Sequence, residues 1–181
     1  VSCNTAYAIL GTELGSDTVK QEAREYGFEV DDQRCPLKVS KSTTGPIADP
    51  PALAQSSIGQ RDVRMTPLQG AMIASAVANG GKLMKPYLIS ELQAPDLSVL
   101  STTRPKEYRQ PLSESQAEDM QEMMNSVVSS GTGQAAQVSG VTIGGKTGTA
   151  EDGAERQDHA WFIGYAIMDG TPVAAVAVVL E

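Results

Sequence analysis

The sequence predicts an α/β domain in which an antiparallel sheet packs with helices. Apolar residues recur at helical spacing through the middle of the chain, and the last third changes to a strand-like pattern. Asp169-Gly170, between the last two apolar runs, is a signal for a tight hairpin. The 181 residues, 40% of them apolar, suffice for one domain or most of one.

The N-terminal third is predicted to contain two helices and a long loop. Asn4 to Leu14 can form the first helix. The second helix, capped by Ser16 or Asp17, is expected to end at Gly27. Residues 31–64 hold prolines, glycines and many Ser and Thr, so we expect an irregular loop. The residues expected to turn inward on the first helix are Ala8, Ile9 and Leu10.

Two stronger helical patterns follow the loop. Thr66 can cap the first of them, with Pro67 at the first helical position and Gln69 closing a capping box. Ser113 to Ser129 is the second, and its stripe of large apolar side chains is expected to face the core. The stripe consists of Met120, Met123, Met124, Val127 and Val128.

Strand patterns begin in the middle of the chain and dominate its C-terminal third. Tyr87 to Leu92 is predicted to be a short strand, and residues 94–111 a loop or edge strand. Val141 to Ala150, His159 to Met168 and Pro172 to Leu180 are predicted to be three antiparallel strands.

Composition excludes several classes of function. The formal net charge of −8 argues against nucleic acid as a partner, and an aromatic content of 4% argues against base stacking as the main activity. No run of 18 apolar residues is present that would span a membrane. The lone His159 has no nearby cysteine or second histidine, so we expect no metal site.

The stretch GVTIGGKTGTAE, residues 140–151, fits the phosphate-binding pattern G-x-x-x-x-G-K-[ST] through Gly140 and Gly145-Lys146-Thr147. That pattern requires a helix after the lysine, but the residues that follow are polar and contain two glycines. Only 34 residues follow Thr147, too few for the remaining units of a parallel sheet. We therefore reject nucleotide hydrolysis as the function.

The same residues also fit a motif of serine acyltransferases. S-x-N stands at Ser2-Cys3-Asn4, and K-T-G-T stands at Lys146-Thr147-Gly148-Thr149. Between them lies SSIGQRDVRMTPLQGAMIASAVANGGKLMKPYLI, and DHAWFIGYA follows the second motif. In order, spacing and flanks, essentially the whole chain resembles the transpeptidase domain of a class B penicillin-binding protein of the actinobacterial cell-wall type.

This resemblance implies that residues 1–181 are the C-terminal portion of a single transpeptidase domain. The family's nucleophile is the serine of an S-x-x-K motif upstream of S-x-N, and no S-x-x-K precedes Ser2. The family's final helix after the last strand is also missing. We therefore expect this chain alone to be inactive.

By the same resemblance, Ser2 relays a proton to the leaving amine and Asn4 binds the substrate amide, although Asn4 could alternatively cap its helix. Lys146 supplies positive charge beside the serines. Thr147 and Thr149, two residues apart on a strand, are expected to hold the terminal carboxylate. Gly148 is expected to leave room for the substrate backbone.

The resemblance implies D,D-transpeptidation of peptidoglycan stem peptides through a serine acyl-enzyme, with β-lactams as covalent inhibitors and no cofactor. Proteins of wall elongation or division are possible partners. The expected location is the outer face of the cytoplasmic membrane, anchored by an N-terminal helix absent from this chain. A D,D-carboxypeptidase, a β-lactamase and a non-catalytic β-lactam sensor or wall-binding module remain alternatives.

Three other residues have weaker claims to function. His159 beside Asp158 could suggest a Ser-His-Asp triad, but we expect it to be structural. Cys3 and Cys35 are either small buried thiols or disulfide partners. By the family resemblance, Cys3 could pair with Cys35 or with a cysteine in the missing half.

Overall fold

The computed structural model describes residues 2–31, 34–151 and 157–180, and it confirms an α/β fold of helices and antiparallel sheet. The helices in this part of the chain are α1 (Asn4–Leu14), α2 (Ser16–Glu25), α3 (Pro50–Ser57), α4 (Pro67–Ala78) and α5 (Glu114–Ser129), with a 3₁₀ turn at Gln134–Ala136. The strands are β1 (Arg34–Cys35), β2 (Leu37–Lys38), β3 (Leu83–Met84), β4 (Glu91–Gln93), β5 (Val99–Thr102), β6 (Glu107–Arg109), β7 (Thr142–Ala150), β8 (His159–Met168) and β9 (Thr171–Leu180).

The main sheet has three antiparallel strands in the order β7-β8-β9. The three predicted strands are thus confirmed to within one residue at their ends. Asp169 and Gly170 join the last two with φ values of 48° and 74°, as a two-residue hairpin turn requires. Within the described residues, the outer edge of β7 carries no neighbouring strand.

Two helices cover one face of this sheet. Helix α4 lies against β8 and β9, where Gly70 permits close approach: a Cβ there would be 2.9 Å from Ile163 Cγ2. Helix α5 lies against β7. The Tyr165 ring, 2% exposed, fills the space beside α5, with its hydroxyl 3.1 Å from Asn125 Oδ1. This packing fixes β7, which carries the K-T-G-T motif.

The predicted loop over residues 31–64 contains a helix that the sequence analysis missed. Helix α3 begins with Pro50-Pro51, which were interpreted as loop residues but fit the first helical turn. The Asp49 side chain caps it by accepting from Ala52 N at 2.8 Å.

Glu29 orders the loop that precedes α3. Its carboxylate accepts from Thr43 Oγ1 at 2.7 Å, from Thr44 N at 2.8 Å and from Thr44 Oγ1 at 3.1 Å. Its own backbone N–H donates to Ser42 O at 2.8 Å. These local bonds replace the backbone ladder that an irregular segment lacks.

The predicted inward face of α1 is wrong. Ile9 and Leu10 are 54% and 48% exposed. The buried residue of α1 is Gly11, which lies so close to Ser57 of α3 that a Cβ on it would overlap that side chain. Because a glycine carries no hydrophobicity signal, the apolar pattern did not identify the contact face.

Two predicted helix caps also differ in the structure. The N-cap of α2 is Gly15, so neither Ser16 nor Asp17 caps it. Thr66 caps α4 as predicted by accepting from Gln69 N. The Gln69 side chain does not close a capping box, because it is fully buried and its Nε2 donates to Tyr26 O.

Two further predictions are only partly correct, one for a strand and one for the apolar stripe of α5. The strand predicted over Tyr87 to Leu92 is wrong for residues 87–90, and the strand that does form, β4, pairs with β5. In α5, Met124 and Val128 are buried as expected, whereas Met123 is 55% exposed.

Candidate active site

All six residues that the sequence analysis proposed for the site line one cavity of about 650 Å³. The cavity lies between the start of α1 and the free edge of β7. The proposed residues are Ser2, Asn4, Lys146, Thr147, Gly148 and Thr149, and other lining residues include Tyr7, Phe28, Gln60, Thr132 and Trp161. Residues from both ends of the chain therefore meet in one cleft.

The first wall of the cleft is the beginning of α1. Ser2 precedes the helix and Asn4 is its first residue, and both side chains are exposed toward the cavity. The N-cap is Cys3, which makes no side-chain capping bond. Asn4 therefore does not cap α1, and the alternative interpretation of this residue is wrong.

The second wall is the outer edge of β7. Lys146 Nζ donates to Thr147 O at 2.6 Å, and Gln60 Nε2 donates to Thr149 O at 3.1 Å. In an antiparallel strand, the N–H and C=O of one residue point to the same side. Thr147 and Thr149 therefore direct their backbone groups outward, away from β8, and the Thr149 N–H is available to the cleft.

Lys146 stands on the face of β7 that the helices cover. It is paired in register with Ile163, whose side chain packs toward Gly70 of α4. The lysine is consequently half-buried, and desolvation lowers its pKa below the ordinary lysine value. A partly desolvated ammonium that lines the cleft can bind an anion there.

The hydroxyl of Thr147 has a partner that the sequence analysis missed. Thr132 follows α5 in a turn where Gly131 and Gly133 both donate backbone N–H bonds to Val127 O. The turn places Thr132 Oγ1 2.6 Å from Thr147 Oγ1. The sequence around Thr132 carries no signal that identifies this contact.

Gly148 differs from the two glycines before the motif. A Cβ on Gly144 would overlap the Tyr165 ring, and a Cβ on Gly145 would overlap Phe162, so both positions are closed by the protein itself. A Cβ on Gly148 would meet only Trp161 Cβ, at 3.4 Å. The space above Gly148 belongs to the cavity.

The other candidate residues from the sequence lie in strands of the main sheet. The Lys146-Thr147 pair lies within a strand, so the phosphate-loop interpretation is rejected. His159 begins β8 opposite Ala150 and is not among the described residues that line the cleft. Trp161, opposite Gly148 on β8, contributes to the wall of the cleft.

The cysteines do not form a pair in the part of the chain that the structure describes. Cys3 is exposed and Cys35 is half-buried, and both are free thiols. Glu151, the residue after β7, is exposed, and Asp152 falls outside the described residues. None of the described helices has the length and apolar character needed to cross a membrane.

Known proteins share both the sequence and the fold. Residues 1–181 match the family described as the penicillin binding protein transpeptidase domain. Peptidoglycan D,D-transpeptidase PbpA from Mycolicibacterium smegmatis is 44% identical over 183 residues, which cover 99% of this chain and 37% of that protein. The crystal structure of PBPA from Mycobacterium tuberculosis superposes with a TM-score of 0.88 at 42% identity, covering 99% of this chain and 43% of that one.

An imipenem acyl-enzyme complex of penicillin-binding protein A from M. tuberculosis superposes equally well, with a TM-score of 0.88 at 43% identity, covering 99% of this chain and 41% of that one. The chain thus spans less than half the length of the relatives it matches. The resemblance to actinobacterial class B proteins is confirmed by these similarities. The chain belongs to the transpeptidase-domain family of penicillin-binding proteins.

Proposed function

We propose that this chain is part of a D,D-transpeptidase that cross-links peptidoglycan stem peptides through a serine acyl-enzyme. The observation that carries the proposal is the meeting of S-x-N and K-T-G-T in one cavity. Relatives named peptidoglycan D,D-transpeptidase, and neighbours solved as imipenem and penicillin G acyl-enzymes, support it. The same cleft would accept β-lactams as covalent inhibitors.

The nucleophile is proposed to be the serine of an S-x-x-K motif outside these 181 residues, because no S-x-x-K is present within them. Its Oγ gives its proton to the lysine of the same motif and attacks the carbonyl carbon of the penultimate D-Ala, and the carbonyl oxygen becomes an oxyanion. The Thr149 N–H, which faces the cleft, would be one donor to that oxyanion. The carbonyl re-forms when the bond to the leaving amine breaks.

Ser2 and Lys146 are proposed to manage the proton and the charge. Ser2 relays a proton to the nitrogen of the departing D-Ala, which leaves as a neutral amine. Lys146 supplies a positive charge that favours deprotonated acceptors beside it. Asn4, two residues after Ser2, hydrogen-bonds the substrate amide. An acceptor amine then attacks the acyl carbon, the ester bond to the nucleophilic serine breaks, and a proton of the amine returns to the serine oxygen, which completes the cross-link.

Thr147 and Thr149 are proposed to hold the terminal carboxylate of the donor peptide or of a β-lactam. They share one face of β7 by strand alternation. Gly148 leaves the cavity open between them, so that a peptide can lie along the edge as an added strand. A carboxylate at this position would also benefit from the nearby Lys146 charge.

We further propose that the remainder of the transpeptidase domain packs on surfaces that are apolar and exposed in this chain. One such surface is the sheet face opposite α4 and α5, and another is the outside of α1. Burial of these side chains by a further helix and an S-x-x-K half would be favourable. The exposed side chains are Val176, Val178, Leu180, Ile9 and Leu10.

The location follows from the substrate. Peptidoglycan lies outside the cytoplasmic membrane, so we propose that the intact protein works on the outer face of that membrane, held by an N-terminal helix outside these residues. Proteins of wall elongation or division are proposed partners.

Labelling with a fluorescent penicillin tests the proposed function. The intact protein should become covalently labelled, and peptide mapping should place the adduct on a serine outside residues 1–181. The 181-residue chain alone should remain unlabelled. A stable adduct on the isolated chain would show that its nucleophile lies within it.

Product analysis then separates the alternatives. With a stem-peptide donor and an amine acceptor, a transpeptidase yields the cross-linked dimer. Released D-Ala without a dimer would indicate a D,D-carboxypeptidase, and rapid turnover of penicillin would indicate a β-lactamase. An intact protein that binds penicillin only reversibly would favour a non-catalytic sensor.

A further inference from the structure

The turn after α3 contacts both walls of the cleft. Ser57, the last residue of α3, lies against Gly11 of α1. Three residues later, Gln60 reaches the opposite wall: its Nε2 donates to Thr149 O at 3.1 Å, and its Oε1 accepts from Glu151 N at 3.3 Å. One short segment therefore links the helix that carries S-x-N to the strand that carries K-T-G-T.

The backbone around Gln60 is held in an uncommon conformation. Gly59 has φ 77°, and Arg61 has φ 64°, which is rare for a residue with a side chain. The N–H of Gln60 donates to Gln55 O at 3.1 Å, and the Arg61 guanidinium lies 3.3 Å from Asp62. Such conformations persist where the surroundings over-determine them, often beside functional sites. The turn thus presents the Gln60 amide in one orientation.

The Gln60 amide acts as a short substitute for a neighbouring strand. A strand added to the edge of β7 would donate to Thr149 O and accept from Glu151 N, and the primary amide of Gln60 does both. The edge is consequently closed on the C-terminal side of Thr149. The N–H of Thr149, one peptide unit earlier, remains directed toward the cavity.

We propose that Gln60 is a positioning residue for acyl transfer: by fixing the backbone from Thr149 to Glu151, it aims the Thr149 N–H at the oxyanion and ends the stretch of edge on which a peptide can lie. This inference rests on the function proposed above. An oxyanion donor must lie within a few tenths of an ångström of its ideal position, so the last turn of a free strand edge needs such a restraint.

Two variants of the intact protein test the proposal. Gln60→Ala removes both hydrogen bonds, and Gln60→Glu keeps the shape but replaces the donor to Thr149 O with a carboxylate. Gln55→Ala, at an exposed glutamine of α3 five residues earlier, is the matched control. Rapid-mixing kinetics with a chromogenic β-lactam separates the pre-covalent binding constant from the acylation rate constant, and thermal unfolding reports on the fold.

We expect the acylation rate constant to fall roughly 2- to 12-fold in Gln60→Glu, as the loss of one hydrogen bond implies, and at least as much in Gln60→Ala, which loses two. The pre-covalent binding constant and the melting temperature should stay near the parent values, and the control should match the parent throughout. Unchanged acylation in both variants overturns the proposal. So does a faster or tighter reaction, which would mean that Gln60 competes with the ligand for the edge.

A purely structural role would give a different pattern, in which the melting temperature falls and binding and acylation decline together, and this also overturns the proposal. A parent protein that is not acylated at all would instead contradict the proposed function. Amide hydrogen exchange at Glu151 tests, without any reaction, whether Gln60 restrains the strand through its hydrogen bond to Glu151 N. Exchange there should be faster in Gln60→Ala than in Gln55→Ala. Equal rates would contradict the proposal that Gln60 fixes the backbone from Thr149 to Glu151.

Discussion

The hydroxyl oxygens of Thr132 and Thr147 lie 2.6 Å apart, although they belong to a helix-terminating turn and to the edge strand of the sheet. A hydroxyl can donate one hydrogen bond and accept others. Thr132 therefore fixes the direction of the Thr147 hydroxyl in the absence of substrate. If Thr147 donates its single hydroxyl proton to the carboxylate, it must accept the hydrogen bond from Thr132.

Thr132→Val should weaken acylation by β-lactams that carry a carboxylate. The loss of one neutral hydrogen bond corresponds to roughly a 2- to 12-fold lower second-order rate constant. Thr132→Ser, which retains the hydroxyl, should react like the parent. A valine variant with parental kinetics would show that the Thr132 contact has no role in recognition.

Lys146→Ala should slow acylation of the intact protein by roughly 10²-fold or more, because it removes a positive charge from a site of developing negative charge. Lys82, an exposed lysine in the turn after α4, provides the control substitution. Folding should be preserved in both variants, as judged by circular dichroism and melting temperature. Equal kinetics of the two variants would argue that Lys146 is only a surface charge.

The pH dependence of acylation by the parent protein should also report on the charge of Lys146. Burial lowers the pKa of Lys146, so its charge is lost at a lower pH than that of an ordinary lysine. Acylation should therefore decline on the alkaline side before pH 10.4, the approximate value for an unperturbed lysine. In Lys146→Arg, which remains charged, that decline should move to higher pH.

Thr149→Val retains the β-branched shape and removes the hydroxyl. Because hydrogen bonds to a charged group contribute about 1.5–3 kcal/mol, second-order acylation should fall roughly 10- to 150-fold. The control is a β-lactam or peptide ester without the terminal carboxylate, which should react poorly and equally with variant and parent. An equal loss on both kinds of substrate would point to the backbone N–H of Thr149 rather than to a carboxylate contact.

Gly148→Ala should impair acylation but not folding, whereas Gly144→Ala should lower the stability of the fold. The alanine methyl at position 148 has space within the protein, so the fold should survive while acylation falls, because the methyl enters the cavity. The methyl at position 144 would overlap the Tyr165 ring and should cost about 1–3 kcal/mol of stability. Denaturant unfolding and penicillin labelling of both variants distinguish the two cases.

Glu29→Gln should destabilise the protein in a pH-dependent way. Burial opposes ionisation of Glu29, but the hydrogen bonds from Thr43 and Thr44 outweigh it and hold its pKa below the ordinary value. A lowered folded-state pKa contributes stability above the unfolded value, near pH 4.3, and this contribution is lost as pH falls through the folded pKa. The variant should be about 1 kcal/mol less stable at pH 7, and the difference should vanish in acid. A pH-independent difference would exclude the charge as its cause.

The sequence predicted those parts of the molecule whose signals are local. The three strands of the sheet follow from alternation and from Asp169-Gly170, and α4 follows from Thr66 and Pro67. The two motifs, taken as a pair, predict six site residues, and all six line one cleft.

The missed features depend on contacts between distant residues. Gln60 and Thr149 are 89 positions apart, and nothing in the residues around Gln60 indicates which strand it meets. Thr132 and Thr147 belong to separate elements, and α3 was hidden by the prolines that start it. Gly11 was missed because close approach is signalled by the absence of a side chain.

The open edge of β7 has a consequence for how copies of the protein meet one another. An unpaired edge that receives a peptide is equally a template for the same strand of another molecule, which is a common beginning of aggregation. Two such edges that paired antiparallel would bring two Lys146 side chains into the same narrow space and would have to desolvate both charges. The lysine proposed to bind an anionic ligand in the cleft thus also acts against association of one β7 edge with another.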